Sequence, residues 1–119
     1  MLDDTPLLGV PALEVAVGQV AVAREKYEKG LLEEFRASLI LIEQSVRLSD
    51  ETLRSTGKDP AKNPKHFKRA EQKIRDIAKK LAGLEESVGI DDRGVVKNTR
   101  DVLLKIQEDL VMDIVGRRR

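Results

Sequence analysis

The chain contains no cysteine and no tryptophan, and it has a single histidine. Without cysteine it can form neither a disulfide nor a thiolate metal site, and the redox state of its compartment is unconstrained. Aromatic residues make up only 3% of the sequence, so a core must be built from Leu, Ile, Val and Ala. Charged residues make up 36%, and this mixture of aliphatic and charged side chains is typical of amphipathic helices. A chain of 119 residues fits one domain.

The sequence also lacks the residue patterns that known kinds of catalysis need. His66 stands among Lys65, Lys68 and Arg69, whose positive charges disfavour both a second cation and a metal ion. The paired carboxylates at 33–34, 85–86 and 91–92 lack the Glu-x-x-His of di-iron bundles. No glycine-rich phosphate loop is present, and no serine has a histidine or lysine at motif spacing. We therefore expect no enzyme, no metal and no cofactor. A site formed by carboxylates from two subunits is the remaining catalytic alternative.

The clearest pattern in the chain is a row of apolar or small residues at alternating spacings of three and four. Such a seam predicts a helix that packs against other helices. The seam consists of Phe67, Ala70, Ile74, Ile77, Leu81, Leu84 and Val88. Asn63 as N-cap, Pro64 at the first helical position and Gly89 after the last predict the limits of this helix.

Two more helices are predicted on either side of the seam helix. The preceding one ends near Thr56-Gly57, before a proline-rich loop over 57–63. The following one is capped by Asp91 or Asp92 and ends at Gly116, before a basic tail over 116–119. Their predicted core positions are Leu39, Ile42 and Val46 in the first, and Val96, Thr99, Leu103, Ile106, Leu110 and Ile114 in the second.

The segment 7–23 is apolar on every side and contains one charge, at Glu14. It follows a lead over 1–10, and we expect its helix to begin near Pro11. A membrane span is disfavoured because 17 residues fall short of the usual ~20. A signal peptide is disfavoured by the acidic residues Asp3 and Asp4 at the start of the chain. A helix in the centre of a bundle, or one that forms a dimer, is the favoured interpretation.

These helices predict an all-α fold, an antiparallel up-down bundle of three or four helices within a single domain over 1–119. Gly30 decides whether the bundle has three helices or four. If it breaks the region 11–56, four helices result. If it lies inside one long helix, the apolar half projects from the bundle and needs a partner chain. We favour the break.

The charge is distributed unevenly along the chain. Residues 58–80 carry nine Lys or Arg against three Asp or Glu, whereas residues 1–57 carry six against ten. Lys65, Arg69 and Lys73 share one helical face, and Lys62 and Lys68 lie close to it. This cluster predicts either a site for a polyanion or a face that pairs with acidic helices. Nucleic acid is the less favoured ligand, since aromatic residues for base stacking are nearly absent.

Two stretches resemble known helical proteins. The stretch AREKYEKGLLEEFRASLILIEQSVRLS, residues 23–49, resembles one tetratricopeptide-type helical hairpin with Tyr27 and Gly30 at its turn. Phe35 stands where that repeat has a small residue, and the absence of a second repeat excludes an array. The stretch NPKHFKRAEQKIRDIAKKL is similar to small helical bacterial proteins, some of them exported, and this resemblance implies no activity.

The sequence therefore predicts a non-enzymatic interaction or structural module that forms a homodimer through its apolar first helix. The predicted interface consists of Leu13, Val17, Val20 and Tyr27. Polyanion binding through the basic segment is the alternative. We expect a cytoplasmic location, with export as the alternative if a longer precursor exists.

Overall fold

The computed structural model describes residues 9–57, 59–60, 62 and 64–116. These residues contain four helices. They are α1 (Val10–Glu28), α2 (Leu32–Ser55), α3 (Pro64–Ser87) and α4 (Ile90–Ile114). This confirms the all-α bundle. The predicted lead up to residue 8, Lys58, the Asn63 cap and the tail 117–119 lie outside the described residues.

Gly30 separates α1 from α2, as favoured from the sequence. Its φ of 76° lies in the left-handed region, which a glycine adopts without steric cost. The amide of Gly30 donates to the Tyr27 carbonyl at 3.0 Å, and the amide of Leu31 donates to the Lys26 carbonyl at 2.9 Å. These two bonds form a Schellman motif, which satisfies the last carbonyls of α1 and turns the chain back.

The helices form two antiparallel hairpins, α1–α2 and α3–α4, that pack side by side. Ion pairs join Glu14 to Lys73 and Arg36 to Asp92 across the two hairpins. Arg24 near the end of α1 donates to Ser87 at the end of α3, so α1 and α3 run parallel. The helix α1 contacts α2 and α3, and α4 contacts α3 and α2, so α2 and α3 lie diagonally opposite each other in the bundle, with a smaller contact between them.

The core lies between the hairpins and contains the predicted seams. Every residue of the α3 seam is buried, from Phe67 to Val88. The predicted core residues of α2 and α4 are buried too, except Ile106 and Ile114, which are partly buried and pack against the core. The core is aliphatic apart from Phe35, Phe67 and the half-buried Tyr27.

The predicted Asp cap of α4 is wrong. Gly89 occupies the N-cap position, and Asp91 and Asp92 lie within the first turn. The reason is a tertiary contact, because the Gly89 amide donates to the hydroxyl of Tyr27 at 2.6 Å. Asp91 and Asp92 still place negative charge at the positive end of the helix dipole.

Candidate interaction surfaces

The four residues predicted to form a dimer interface lie inside the single chain. Leu13 and Val20 are buried in the core, and Val17 and Tyr27 pack against it. A second chain could reach them only if α1 moved away from α2 and α3. Any contact with another copy of the folded chain therefore has to use other side chains.

An apolar surface is exposed along the outer side of α2, opposite its core side. Ile40, Leu41 and Leu48 are 56%, 44% and 55% exposed. Ala37 and Gln44 lie on the same side of the helix, also exposed. We call Ala37, Ile40, Leu41, Gln44 and Leu48 the outer seam, because Ala37, Leu41, Gln44 and Leu48 repeat at spacings of four, three and four. That spacing keeps side chains on one helical face and is the pattern of helix–helix contacts.

The neighbouring surface of α1 extends the outer seam. Val15 is 53% exposed and Val22 is half-buried, and their spacing of seven residues places both on one side of α1, away from its buried residues. Gly18, between them, has no atom within 4 Å of the place where a Cβ would stand. The outer side of the α1–α2 hairpin thus presents an uncharged strip of small and branched side chains.

The outer side of α3 has the opposite character. Its exposed cations make no ion pair with any other residue that the structure describes. They are Lys65, Lys68, Arg69, Lys79 and Lys80. The predicted member Lys73 is engaged, since it lies 2.8 Å from Glu14, and Arg75 likewise lies 3.4 Å from Glu71. Lys62 is exposed in the preceding loop, and Asp76 is an exposed carboxylate on this face. The five cations span about 22 Å along the helix at 1.5 Å per residue.

Several charged contacts elsewhere join two helices, and others lie within one helix. Lys26 bridges to Glu34 at 3.0 Å, and the hydrogen bond and charge of Glu34 raise the pKa of Lys26. The hydrogen bond and charge of Lys29 hold the pKa of Glu25 below its usual value. Both pairs lie at the α1–α2 turn, and their exposure to water makes each of them a small contribution to stability.

A second charged link joins α2 to α4 at the opposite end. Arg54 lies 3.0 Å from Asp50 on its own helix and 2.7 Å from Asp113 on α4. Burial alone would lower the pKa of Arg54, but the hydrogen bonds to Asp50 and Asp113 outweigh it and raise the pKa. This guanidinium therefore stays charged and acts as a structural tie.

The grooves between helices are open and mixed in character. One groove of about 360 Å³ lies between α3 and α4 and is lined by Lys68, Gln72, Val111 and Val115 among others. Within the described part of the chain, no three His, Cys, Asp or Glu side chains come together as metal ligands would. His66 is half-buried in the first turn of α3.

None of the described helices combines the length and the apolar character that a membrane crossing requires. Comparisons with protein-family models, with curated proteins and with solved structures found no match.

Proposed function

We propose that this chain is a non-enzymatic helical interaction module and that it associates with a second copy of itself. The observation that carries the proposal is the outer seam of α2. Three large aliphatic side chains, Ile40, Leu41 and Leu48, are each about half exposed on one uncharged helical face. A contiguous apolar patch of this kind on a charged protein is a mark of an interaction surface.

The physical driving force is the removal of this apolar surface from water. Each Å² of apolar area that is buried contributes about 25 cal/mol, so a few aliphatic side chains supply several kcal/mol before the costs of association. A second helix that carries the same seam supplies a matching apolar face. Because neither face carries a charge within the seam, two copies meet without like-charge repulsion at the centre of the contact.

The test is the mass of the chain in solution, measured by light scattering on a sizing column. We expect the natural chain to be a dimer. We expect the double variant Ile40→Glu/Leu48→Glu to be a monomer, because its dimer would have to bury the introduced carboxylates in the contact. The matched control is Leu104→Glu, which introduces a carboxylate at a leucine of α4 that is 40% exposed. This control should remain dimeric.

A monomeric wild-type chain at high concentration would overturn the proposal. A dimer that survives Ile40→Glu/Leu48→Glu would show that self-association uses another surface. Circular dichroism of each variant checks that the helices are intact, since both substituted positions are exposed and a change there leaves the core in place.

A second candidate function is favoured by the basic face of α3. Five exposed cations without ion pairs among the described residues form a strip that can bind phosphate groups of a polyanion. We expect duplex DNA, used as a generic polyanion probe, to bind with an affinity that falls steeply as salt rises. Lys65→Glu, Lys68→Glu and Arg69→Glu together should abolish this binding.

The matched control is Lys105→Glu, which reverses an exposed cation on α4. Equal binding by the triple variant and the wild type, followed by fluorescence anisotropy, would remove polyanion binding from consideration. Loss of binding in the triple variant alone would assign the site to α3.

A further inference from the structure

We infer that two copies of the chain pack α2 against α2 in an antiparallel arrangement, with Gln44 on the twofold axis. This inference rests on the proposed self-association and adds its geometry. It follows from the order of side chains along the outer seam and from the charges at its two ends.

The apolar side chains of the outer seam are arranged around Gln44 in a way that suits an antiparallel pair. Leu41 precedes Gln44 by three residues and Leu48 follows it by four, on the same edge of the seam. An antiparallel twofold at Gln44 brings Leu41 beside the partner's Leu48, and it does so twice. It also places Ile40 over the aliphatic stem of the partner's Arg47. Two Gln44 amides meet at the axis, where each can donate to and accept from the other.

The charges at the ends of the seam select the direction. The amino-terminal end of α2 carries Glu33 and Arg36, and the carboxy-terminal end carries Glu51 and Arg54, all exposed. Arg36 already pairs with Asp92, and Arg54 with Asp50 and Asp113, so each guanidinium would share its charge between its own chain and the partner. Glu33 and Glu51 form no ion pair with any residue in the described ranges. In an antiparallel pair, Glu33 lies near the partner's Arg54, and Arg36 lies near the partner's Glu51. A parallel pair would instead set each of these charges against its own copy, which is unfavourable.

The same axis has a consequence for α1. The twofold axis that relates two antiparallel helices is perpendicular to the plane that contains them. Rotation about this axis leaves each long edge of the seam on the same side of the contact. The edge of α2 that borders α1 is therefore on the same side in both copies. The exposed Val15 of each copy then flanks the contact, which widens the apolar area beyond α2 alone.

Cysteine cross-linking tests this geometry, since the natural chain has no cysteine to interfere. In the full chain, Gln44→Cys should form a disulfide-linked dimer under mild oxidation, because only residues near the axis bring two copies of one position within bonding distance. Leu41→Cys and Leu48→Cys should each cross-link weakly alone, and efficiently when the two variants are mixed. The matched control, Gln72→Cys, replaces an exposed glutamine on α3 and should stay unlinked.

The expected result is on the order of tenfold more linked dimer for Gln44→Cys than for Gln72→Cys at equal concentration, which is the contrast between a proximal and a distant pair. Efficient linking of Leu41→Cys with itself would show a parallel pair and overturn the inference. A dimer by light scattering without Gln44→Cys linking would overturn the geometry and leave the proposed function standing. A monomer by light scattering would overturn both.

Discussion

The hydroxyl of Tyr27 joins the end of the first helix to the start of the last. It accepts a hydrogen bond from the Gly89 amide at 2.6 Å and donates to the Asp92 carboxylate at 3.1 Å. Its ring also packs against Phe35, with 4.9 Å between the ring centroids. One side chain therefore satisfies an otherwise orphaned amide of α4 and fills part of the core.

Tyr27→Phe should lower the free energy of unfolding by about 1–2 kcal/mol, since it removes two hydrogen bonds and retains the ring contact. Urea denaturation followed by circular dichroism measures the change. Thr52→Val is the control, because the Thr52 hydroxyl bonds only to the Leu48 carbonyl of its own helix, at 2.8 Å. An unchanged unfolding midpoint for Tyr27→Phe would show that the hydroxyl bonds equally well to water.

Two glycines with positive φ differ in their surroundings, and this difference can be measured. A Cβ on Gly9 would stand 2.5 Å from the Ser49 Oγ, whereas a Cβ on Gly30 would meet nothing within 4 Å. Gly30→Ala should cost about 1–2 kcal/mol for the left-handed backbone alone. Gly9→Ala should cost more, because it adds a clash with the buried Ser49. If chemical denaturation gave equal losses of unfolding free energy for the two variants, the start of α1 would be free to move away from α2.

At the scale of the helices, the sequence predicted the core side of α3 except for the buried Ala78, and that of α2 only in part. The α3 seam is the single apolar row on a helix whose other positions are mostly charged, so its assignment is unambiguous. In contrast, α2 carries apolar residues on two sides, and the 3–4 spacing fits Leu39, Ile42 and Val46 as well as Leu41 and Leu48. Only packing against α1 and α4 decides which row is core, and a single sequence does not show that packing.

The candidate interface was harder to predict for the same reason. Leu13 and Val20 are as apolar as a dimer contact should be, but the turn at Gly30 folds α1 back onto α2 and buries them. The sequence also has Ile40, Leu41 and Leu48, which add breadth to the apolar pattern of α2. It could not tell whether that breadth faces the core or the solvent. The basic face of α3 was predicted more directly, because charged side chains remain at the surface in almost any packing.

Two glycines inside helices offer a gain in stability. Gly83 and Gly94 have helical conformations and open space where a Cβ would stand. Gly83→Ala and Gly94→Ala should each raise the free energy of unfolding by about 0.5–1 kcal/mol, because alanine restricts the unfolded chain and adds no clash. Thermal unfolding of each variant provides the measurement. A loss of stability at either position would indicate that the site contacts another molecule or that its helix is bent.

For the molecule as a whole, self-association should be coupled to folding. A dimer that forms only from folded chains raises the melting temperature as the protein concentration rises. We expect this dependence for the natural chain in differential scanning calorimetry. Its absence in Ile40→Glu/Leu48→Glu would tie the effect to the outer seam. A melting temperature that is independent of concentration in the natural chain would argue against a dimer.

Each hairpin is a continuous half of the polypeptide, because α1 and α2 are consecutive in the chain and so are α3 and α4. A cut between Gly57 and Pro64 would leave two pieces, each a complete pair of helices, and would break no helix. The pieces would expose complementary apolar faces, α1–α2 carrying Phe35 and α3–α4 carrying Phe67. We therefore expect the two fragments, expressed separately, to bind each other and restore the four-helix fold when they are mixed.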